Sequence, residues 1–187
     1  MHACFVNEII DYDGTQLSSL WAFRTFGLQG DSIAGFRGSC RVDVDRLVDV
    51  ADLIKCSPIA SRDMLHFIVE HFDLDLEKTI IRQRLLVTIA RDILERYAGI
   101  NLVRSGDDLF YNERKLSVSI ATLTPVSTMI HTGLNVCGEG APVPAAGLFD
   151  LGLTSEMVPV LGEVICRSYA EEIGQIKMAR CKVRGVK

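Results

Sequence analysis

Between Asp75 and Gly99 the chain carries its clearest periodic segment. Ile80, Ile81, Leu85, Ile89, Ile93, Leu94 and Tyr97 recur there at helical spacing, and Gly99 supplies a stop. A helix with one apolar stripe has to bury it against another layer, and the rest of the chain says which layer. Three short β segments follow the helix, at 101–104, 107–112 and 115–123. Thr124-Pro125 then turns into a fourth at 126–136. Before the helix, residues 3–10 read as an opening strand, 15–27 as a helix ended by Gly27 and Gly30, and 32–37 and 64–69 as buried strands. Residues 42–54 alternate Val/Leu with Asp and fit either element. Residues 138–147, rich in Gly, Ala and Pro, form a loop. Thr154 or Ser155 caps a last helix to about residue 177 that turns Val158, Leu161, Ile165 and Ile173 inward. Strands dominate around three helices. The class is therefore α+β, with a mixed, largely antiparallel sheet in a single domain spanning 1–187.

Composition excludes several partners. Of 187 residues, 20 are Lys or Arg and 24 are Asp or Glu, for a formal charge of −4. A pI near 5.6 argues against nucleic acid as a partner. The basic cluster Lys177, Arg180, Lys182, Arg184 and Lys187 complements the end of the last helix instead. No run of residues has the apolar length of a membrane span or a signal segment. The six cysteines show neither a Cys-x-x-Cys pair nor zinc-finger spacing, so we expect reduced thiols and a cytoplasmic protein.

The segment Asp107-Asp108-Leu-Phe-Tyr-Asn-Glu-Arg114-Lys115-Leu-Ser117-Val-Ser119, followed by Gly133-Leu134-Asn135-Val136, resembles the core of the biotin and lipoate protein ligases. Those proteins carry an Asn-Asp…Arg-Lys hairpin and, one β segment later, a Gly-Leu-Asn-Val strand. Ala145-Ala146-Gly147-Leu148 is similar to their Ala-Thr-Ser-Leu stretch, with Thr and Ser replaced. A broader resemblance, carried by Trp21-Ala22-Phe23-Arg24-x-Phe26-Gly27-x-x-Gly30-Asp31-Ser32 and Phe36-Arg37-Gly38, is to an uncharacterised, mostly archaeal family. Both imply the ligase-like, class II synthetase-like fold more firmly than any activity.

The resemblance implies a pocket for a small organic anion or acyl compound, with acyl transfer or adenylation as the reaction class. Lys115 takes the position of the catalytic lysine that binds the acyl carbonyl, where a cation stabilises a developing oxyanion. The competing reading is a strand lysine reaching solvent. Ser117 and Ser119 follow Lys115 at period two and are candidate donors to the ligand. His131 and Asn135 join that face if the turn at Thr124-Pro125 holds three residues, and oppose it if it holds two; alignment gathers the polar groups and is the expectation. Asp108, of the Asp107-Asp108 pair, is the candidate Mg²⁺ ligand beside a nucleotide. Arg37 is the candidate anion clamp, converging with Lys115 on one pocket. If the two open onto opposite faces instead, a structural role is indicated. Arg24 and Asp31 form a separate candidate ion pair.

Two departures limit the carry-over. The ligases' Gly- and Arg-rich loop is reduced here to Phe36-Arg37-Gly38-Ser39-Cys40-Arg41, so ATP with Mg²⁺ is expected to bind weakly or not at all. The related octanoyl transferases use a cysteine after the Leu-Asn-Val strand. Pro144–Leu148 has no thiol and Cys137 comes too early, which counts against a thioester route. The rivals to an enzyme are a non-catalytic binding module and a structural subunit pairing with itself as a homodimer or with another partner.

Overall fold

The long helix and the β segments build one layered structure. The computed structural model describes residues 1–56 and 58–186. In chain order the elements are β1 (His2–Ile9), α1 (Trp21–Phe26), β2 (Ser32–Val42), α2 (Val50–Ile54), β3 (Ile59–His71) and α3 (Leu76–Ala98). There follow β4 (Val103–Ser105), β5 (Asp108–Tyr111), β6 (Arg114–Lys115), β7 (Ser117–Leu123), β8 (Thr128–Asn135) and α4 (Met157–Ala179). Five strands pair in the order β1-β2-β3-β8-β7, with β1 parallel to β2 and every other pairing antiparallel. A small second sheet, β4-β5-β6, lies beyond β7. The class is α+β with a mixed sheet, as the sequence implies.

β3 explains the layering. From Met64 to His71 every residue is buried, so both faces of the strand are covered. Leu65, Phe67 and Val69 face the large core built with α3 and α4. Met64 and Ile68 face a smaller core with Tyr12, Phe36, Cys40, Val42 and Met129. α3 starts at Asp75, whose carboxylate accepts from the Lys78 amide at 2.9 Å, and ends at Gly99 in the left-handed region, φ 66°. Its buried face is Thr79, Arg82, Gln83, Leu86, Val87, Ala90, Ile93 and Leu94. Ile80, Ile81 and Tyr97, read from the sequence as part of the stripe, are exposed, because the buried row runs through residues 79, 82–83, 86–87, 90 and 93–94 beside them.

Two sequence expectations are corrected and one open reading is resolved. The predicted helix over 15–27 is helical only at Trp21–Phe26. Leu20 adopts φ 63°, with its amide held by the Glu70 carboxylate at 2.8 Å, and this breaks the helix before Trp21. The ambiguous stretch 42–54 ends β2, makes a single 3₁₀ turn at Val44–Arg46 and forms α2. α4 begins after Glu156 without a side-chain cap; Ser155 instead accepts a hydrogen bond from Arg37.

β1 reaches its place by a close backbone crossing. The Ile10 amide donates to the Arg37 carbonyl at 2.9 Å, the Tyr12 amide donates to the Ser39 carbonyl at 2.8 Å, and the Tyr12 carbonyl accepts from the Arg41 amide at 2.9 Å. A Cβ at Gly38 would lie 1.9 Å from the Ile10 carbonyl oxygen, which is backbone and cannot swing aside. Gly38→Ala is therefore expected to cost about 3 kcal/mol or more in a urea titration; a loss under about 0.5 kcal/mol, the ordinary surface range, would contradict this packing.

Candidate functional site

On the face of the sheet away from α3 and α4 lies a cavity of about 380 Å³. Its floor is Met64 of β3, Val118 and Ile120 of β7, and His131 and Asn135 of β8. One wall is Tyr12, Gly14 and Leu17. Arg46, Asp49, Asp52, Asp107, Asp108 and Lys115 supply the charged part of the lining.

The cavity owes its chemistry to the β7–β8 register. The turn between the strands is four residues, 124–127, closed by the Thr124 amide on the Ser127 carbonyl at 2.8 Å. It opposes Ser119 to Thr132, Ile120 to His131 and Val118 to Gly133. Directly opposed residues share a face, so an even-length turn sends His131 and Asn135 to the other face from Ser117 and Ser119. The expected alignment of these groups is thus corrected. Ser117 is fully buried and accepts from the Leu109 amide at 2.8 Å. Ser119 bonds the His131 carbonyl, Thr132 Oγ1 and Gln83 Nε2. Ser117 thus ties β7 to β5, while Ser119 joins β7 to α3 and β8 and also contributes to the cavity lining.

Lys115 does reach the cavity. Leu116 and Ser117 are buried in succession, so the strand alternation breaks between them, and Lys115 does not follow Ser117. The backbone at Lys115 is clamped: its amide donates to the Pro144 carbonyl at 3.0 Å, and its carbonyl accepts from the Ala146 amide at 2.9 Å. Asn135 Nδ2 spans the same junction, donating to the carbonyls of Lys115 and Ala146 at 3.3 and 3.2 Å. Lys115 Nζ meets Asp108 Oδ2 at 2.9 Å. Burial raises the Asp108 carboxyl above its usual range, while Lys115 pulls it back and Asp107 and Asp52 push it further up.

Asp108 is therefore engaged, and Asp107 accepts from Gln83 Nε2 at 2.8 Å. Among the described residues no three His, Cys, Asp or Glu side chains gather to hold a metal ion. This donor set does not suit the Mg²⁺ expected at Asp108. Arg37 is on the opposite face. It pairs with Asp63 through Nε and Nη2 at 2.8 and 2.5 Å and donates to Ser155 at 2.9 Å. Its register partner is Leu65, on the α4 side, so the expected convergence with Lys115 does not occur. Arg37 ties β2 and β3 to the start of α4. Arg24 bonds Ser18 and Ser19, whereas Asp31 pairs with His71 and Lys177, so the expected Arg24–Asp31 pair is also absent.

The groups that sequence reasoning missed are aromatic. Tyr12 stacks on His131 with centroids 3.8 Å apart and planes 14° apart; His66 lies between Tyr12 and Phe36 at 5.2 and 5.1 Å. His66 Nδ1 and His131 Nε2 are 3.0 Å apart. Burial drives both imidazoles down, His66 to about 4 and His131 well below its ordinary value, so each is neutral near pH 7. The one signal available in sequence was His66 itself, a titratable residue inside an otherwise apolar strand.

In three dimensions the arrangement is similar to the biotin and lipoate protein ligases. An Aquifex aeolicus biotin protein ligase mutant in complex with biotin superposes with a TM-score of 0.59 at 14% identity, over 95% of this chain and 72% of that one. LipL1 of P. falciparum in complex with lipoate superposes with a TM-score of 0.56 at 10% identity, over 92% and 63%. These likenesses establish a ligase-like fold. The chain itself belongs to the DUF366 family, a domain of unknown function, whose pattern spans residues 1–184. An uncharacterised protein of Methanocaldococcus jannaschii, MJ0805, is 44% identical over 184 residues, 95% of this chain and 81% of that protein. A protein of unknown function from Pyrococcus horikoshi has a TM-score of 0.90 at 40% identity, over 100% and 99% of the two chains. No helix among the described residues is long and apolar enough to cross a membrane.

The buried histidines set a pH dependence. Their folded pKa values lie below that of the unfolded chain, so the unfolded state binds more protons as pH falls beneath about 6.5. Their contribution is complete above that value and is lost as pH falls, for His66 on the way to about 4 and for His131 through its own lowered pKa, by up to about 1.4 kcal/mol per pH unit for each ring. Urea midpoints from pH 7.5 to 4.5 should fall below pH 6.5, and the double variant His66→Phe/His131→Phe should flatten the profile. An unchanged slope in the double variant would remove these rings as the cause.

Proposed function

We propose that the cavity holds a small acyl compound, with its carbonyl oxygen at Lys115 Nζ and its apolar portion against Leu17, Met64, Val118 and Ile120. The observation that carries this reading is the fixed lysine. Its backbone is clamped on both sides, and its ammonium is held 2.9 Å from the Asp108 carboxylate in the cavity lining. A cation so held stabilises the oxyanion that forms when an acyl carbonyl is attacked, and acyl transfer is the reaction class that suits it. The biotin and lipoate complexes of the structural relatives, both small carboxylates with an apolar body, support a ligand of that size on this fold, and the acidic lining here argues for a neutral carbonyl in place of the carboxylate.

The lining supports one of the two ligand types expected from the sequence. It carries Asp49, Asp52, Asp107 and Asp108 against Arg46 and Lys115, and Arg46 is already paired with Asp13. An acid-rich cavity repels a free organic anion and favours a neutral carbonyl such as an amide, ester or thioester. Native mass spectrometry of the purified protein should reveal a retained neutral acyl compound. Calorimetry should show octanamide binding more tightly than octanoate. Lys115→Met should weaken octanamide about tenfold or more, since a hydrogen bond to a charged group is worth ~1.5–3 kcal/mol. Octanamide affinity unchanged in Lys115→Met would overturn the reading.

The same cavity is proposed to work without ATP. The residues in place of the ligases' Gly- and Arg-rich loop are the second half of β2, where ladder bonds to β3 and the crossing at residues 10–12 use the backbone. A phosphate needs backbone amides free to converge on it. Titration with ATP and Mg²⁺ should give no micromolar binding; a micromolar constant would restore adenylation.

A further inference from the structure

We propose that two copies of this chain pair through the outer edge of β1 and the exposed face of α4, so that the two sheets run on as one across a two-fold axis. This goes beyond the acyl reading and does not depend on it. β1 is the end strand of the five, bonded on its β2 side. The His2 amide donates to the Asp31 carbonyl at 2.8 Å, so residue 2 turns its backbone toward β2. Residues alternate in a parallel ladder. Cys4 and Val6 therefore turn the same way, while Ala3 and Phe5 turn their amides and carbonyls outward. Beyond Val6 the register with β2 shifts, which ends the regular stretch. Residues 2–7 hold no Pro, Lys, Arg, Asp or Glu, so the devices that blunt an exposed edge are missing along it.

α4 shows that a second copy fits. It lies across β1 and β2: a Cβ on Gly162 would collide with the Phe5 ring, and one on Gly35 would lie 2.8 Å from Cys166 Sγ. It runs against both strands, with Ser155 at Arg37 and Lys177 at Asp31. Strands are spaced ~4.8 Å apart, so a helix above the β1–β2 midline stands roughly 5 Å from an axis at the outer edge. Its copy then stands about 10 Å away, which is helix-packing distance. Val160, Glu163 and Arg167 are exposed there and line a cleft with residues 3–5 and 7 of β1. Neither Glu163 nor Arg167 has an ion-pair partner among the described residues. In an antiparallel helix pair Glu163 meets the partner's Arg167 when the axis passes at residue 165. Along α4 that is about 4.5 Å from Gly162. In the same direction Cys4 is about 3.3 Å from Phe5 along β1. The axis so placed passes beside Cys4, and the outward backbones then bond Phe5 to the partner's Ala3, whose small side chain leaves room for the ring. Charge and backbone select the same register.

Sedimentation equilibrium of the full chain tests this. The wild-type protein should show twice the 20.7 kDa of one chain, and added salt should weaken the association. Arg167→Glu sets like charges across the axis and should raise the dissociation constant about tenfold or more. Adding Glu163→Arg restores opposite charges and should recover most of that loss. Both residues are exposed, so neither change threatens the fold. Hydrogen exchange gives a second readout: the Ala3 and Phe5 amides should exchange slowly in the wild-type protein and quickly in Arg167→Glu. A wild-type monomer at tens of micromolar, a dimer indifferent to Arg167→Glu, a double variant that stays dissociated, or fast exchange at Ala3 and Phe5 in the wild type overturns the proposal. Octanamide binding is read separately from each of these results, so the acyl reading stands or falls apart from it.

Discussion

The pairing of β8 between β3 and β7 is the constraint on which the remainder depends. Ile130 and Leu134 go to the helix side of the sheet, and His131 and Asn135 to the other, because the 124–127 turn has an even number of residues and β3 enforces the same alternation from its own edge. A slip of one residue would push two polar side chains into the main core and two large aliphatic ones into the cavity. The hydroxyls of Thr124 and Ser127 bond each other at 2.8 Å, and Ser127 also donates to Glu70 at 2.6 Å. The turn that sets the register is thereby anchored to β3, and through Glu70 to the amide of Leu20 before α1.

Buried polar groups on β3 repeat this theme. His66 bonds His131, Glu70 bonds Ser127 and Leu20, and His71 bonds the Tyr169 hydroxyl at 2.9 Å while lying beside Asp31. Each contact joins the central strand to a different neighbour. Leaving such a group unpaired in the interior costs more than the bond itself contributes, so these contacts discriminate between arrangements that apolar packing alone would tolerate. Asp31 is held far toward its charged form by His71, Lys177 and the Phe72 amide, and so fastens the end of α4 to the start of β2.

Much of this was legible in the chain. The period of 75–98, the apolar runs of β2 and β3 and the Gly-Leu-Asn-Val strand were enough for the α+β class and the ligase-like fold. Lys115 was placed at the site by motif position. Its face was misread, because an interruption at Leu116 leaves no trace in a period-two count. His131 and Asn135 were found as polar residues on one face of a strand, but their side of the sheet hung on turn length, which Thr124-Pro125 does not specify. Arg37 looked like an anion clamp because a lone arginine in an apolar strand has no visible partner. Asp63, its actual partner, lies on another strand, and sequence separation hides it. Tyr12 and Asp49 lie outside the named strands and helices, and Asp52 sits in the five-residue α2, segments where no periodicity points to a cavity.

The crossing of residues 10–12 over β2 has a consequence for how this fold can be adapted. The bonds that hold residues 37–41 in a strand also deliver the Tyr12 ring to His131. Lengthening that stretch into a phosphate-embracing loop would break the Ile10, Tyr12 and Arg41 bonds together and lift the aromatic cover from the cavity. Nucleotide use and a closed aromatic roof are alternatives competing for the same few backbone amides. Exchanging cavity side chains would leave those bonds in place, whereas inserting a phosphate-embracing loop at residues 37–41 would require rebuilding the first strand's connection.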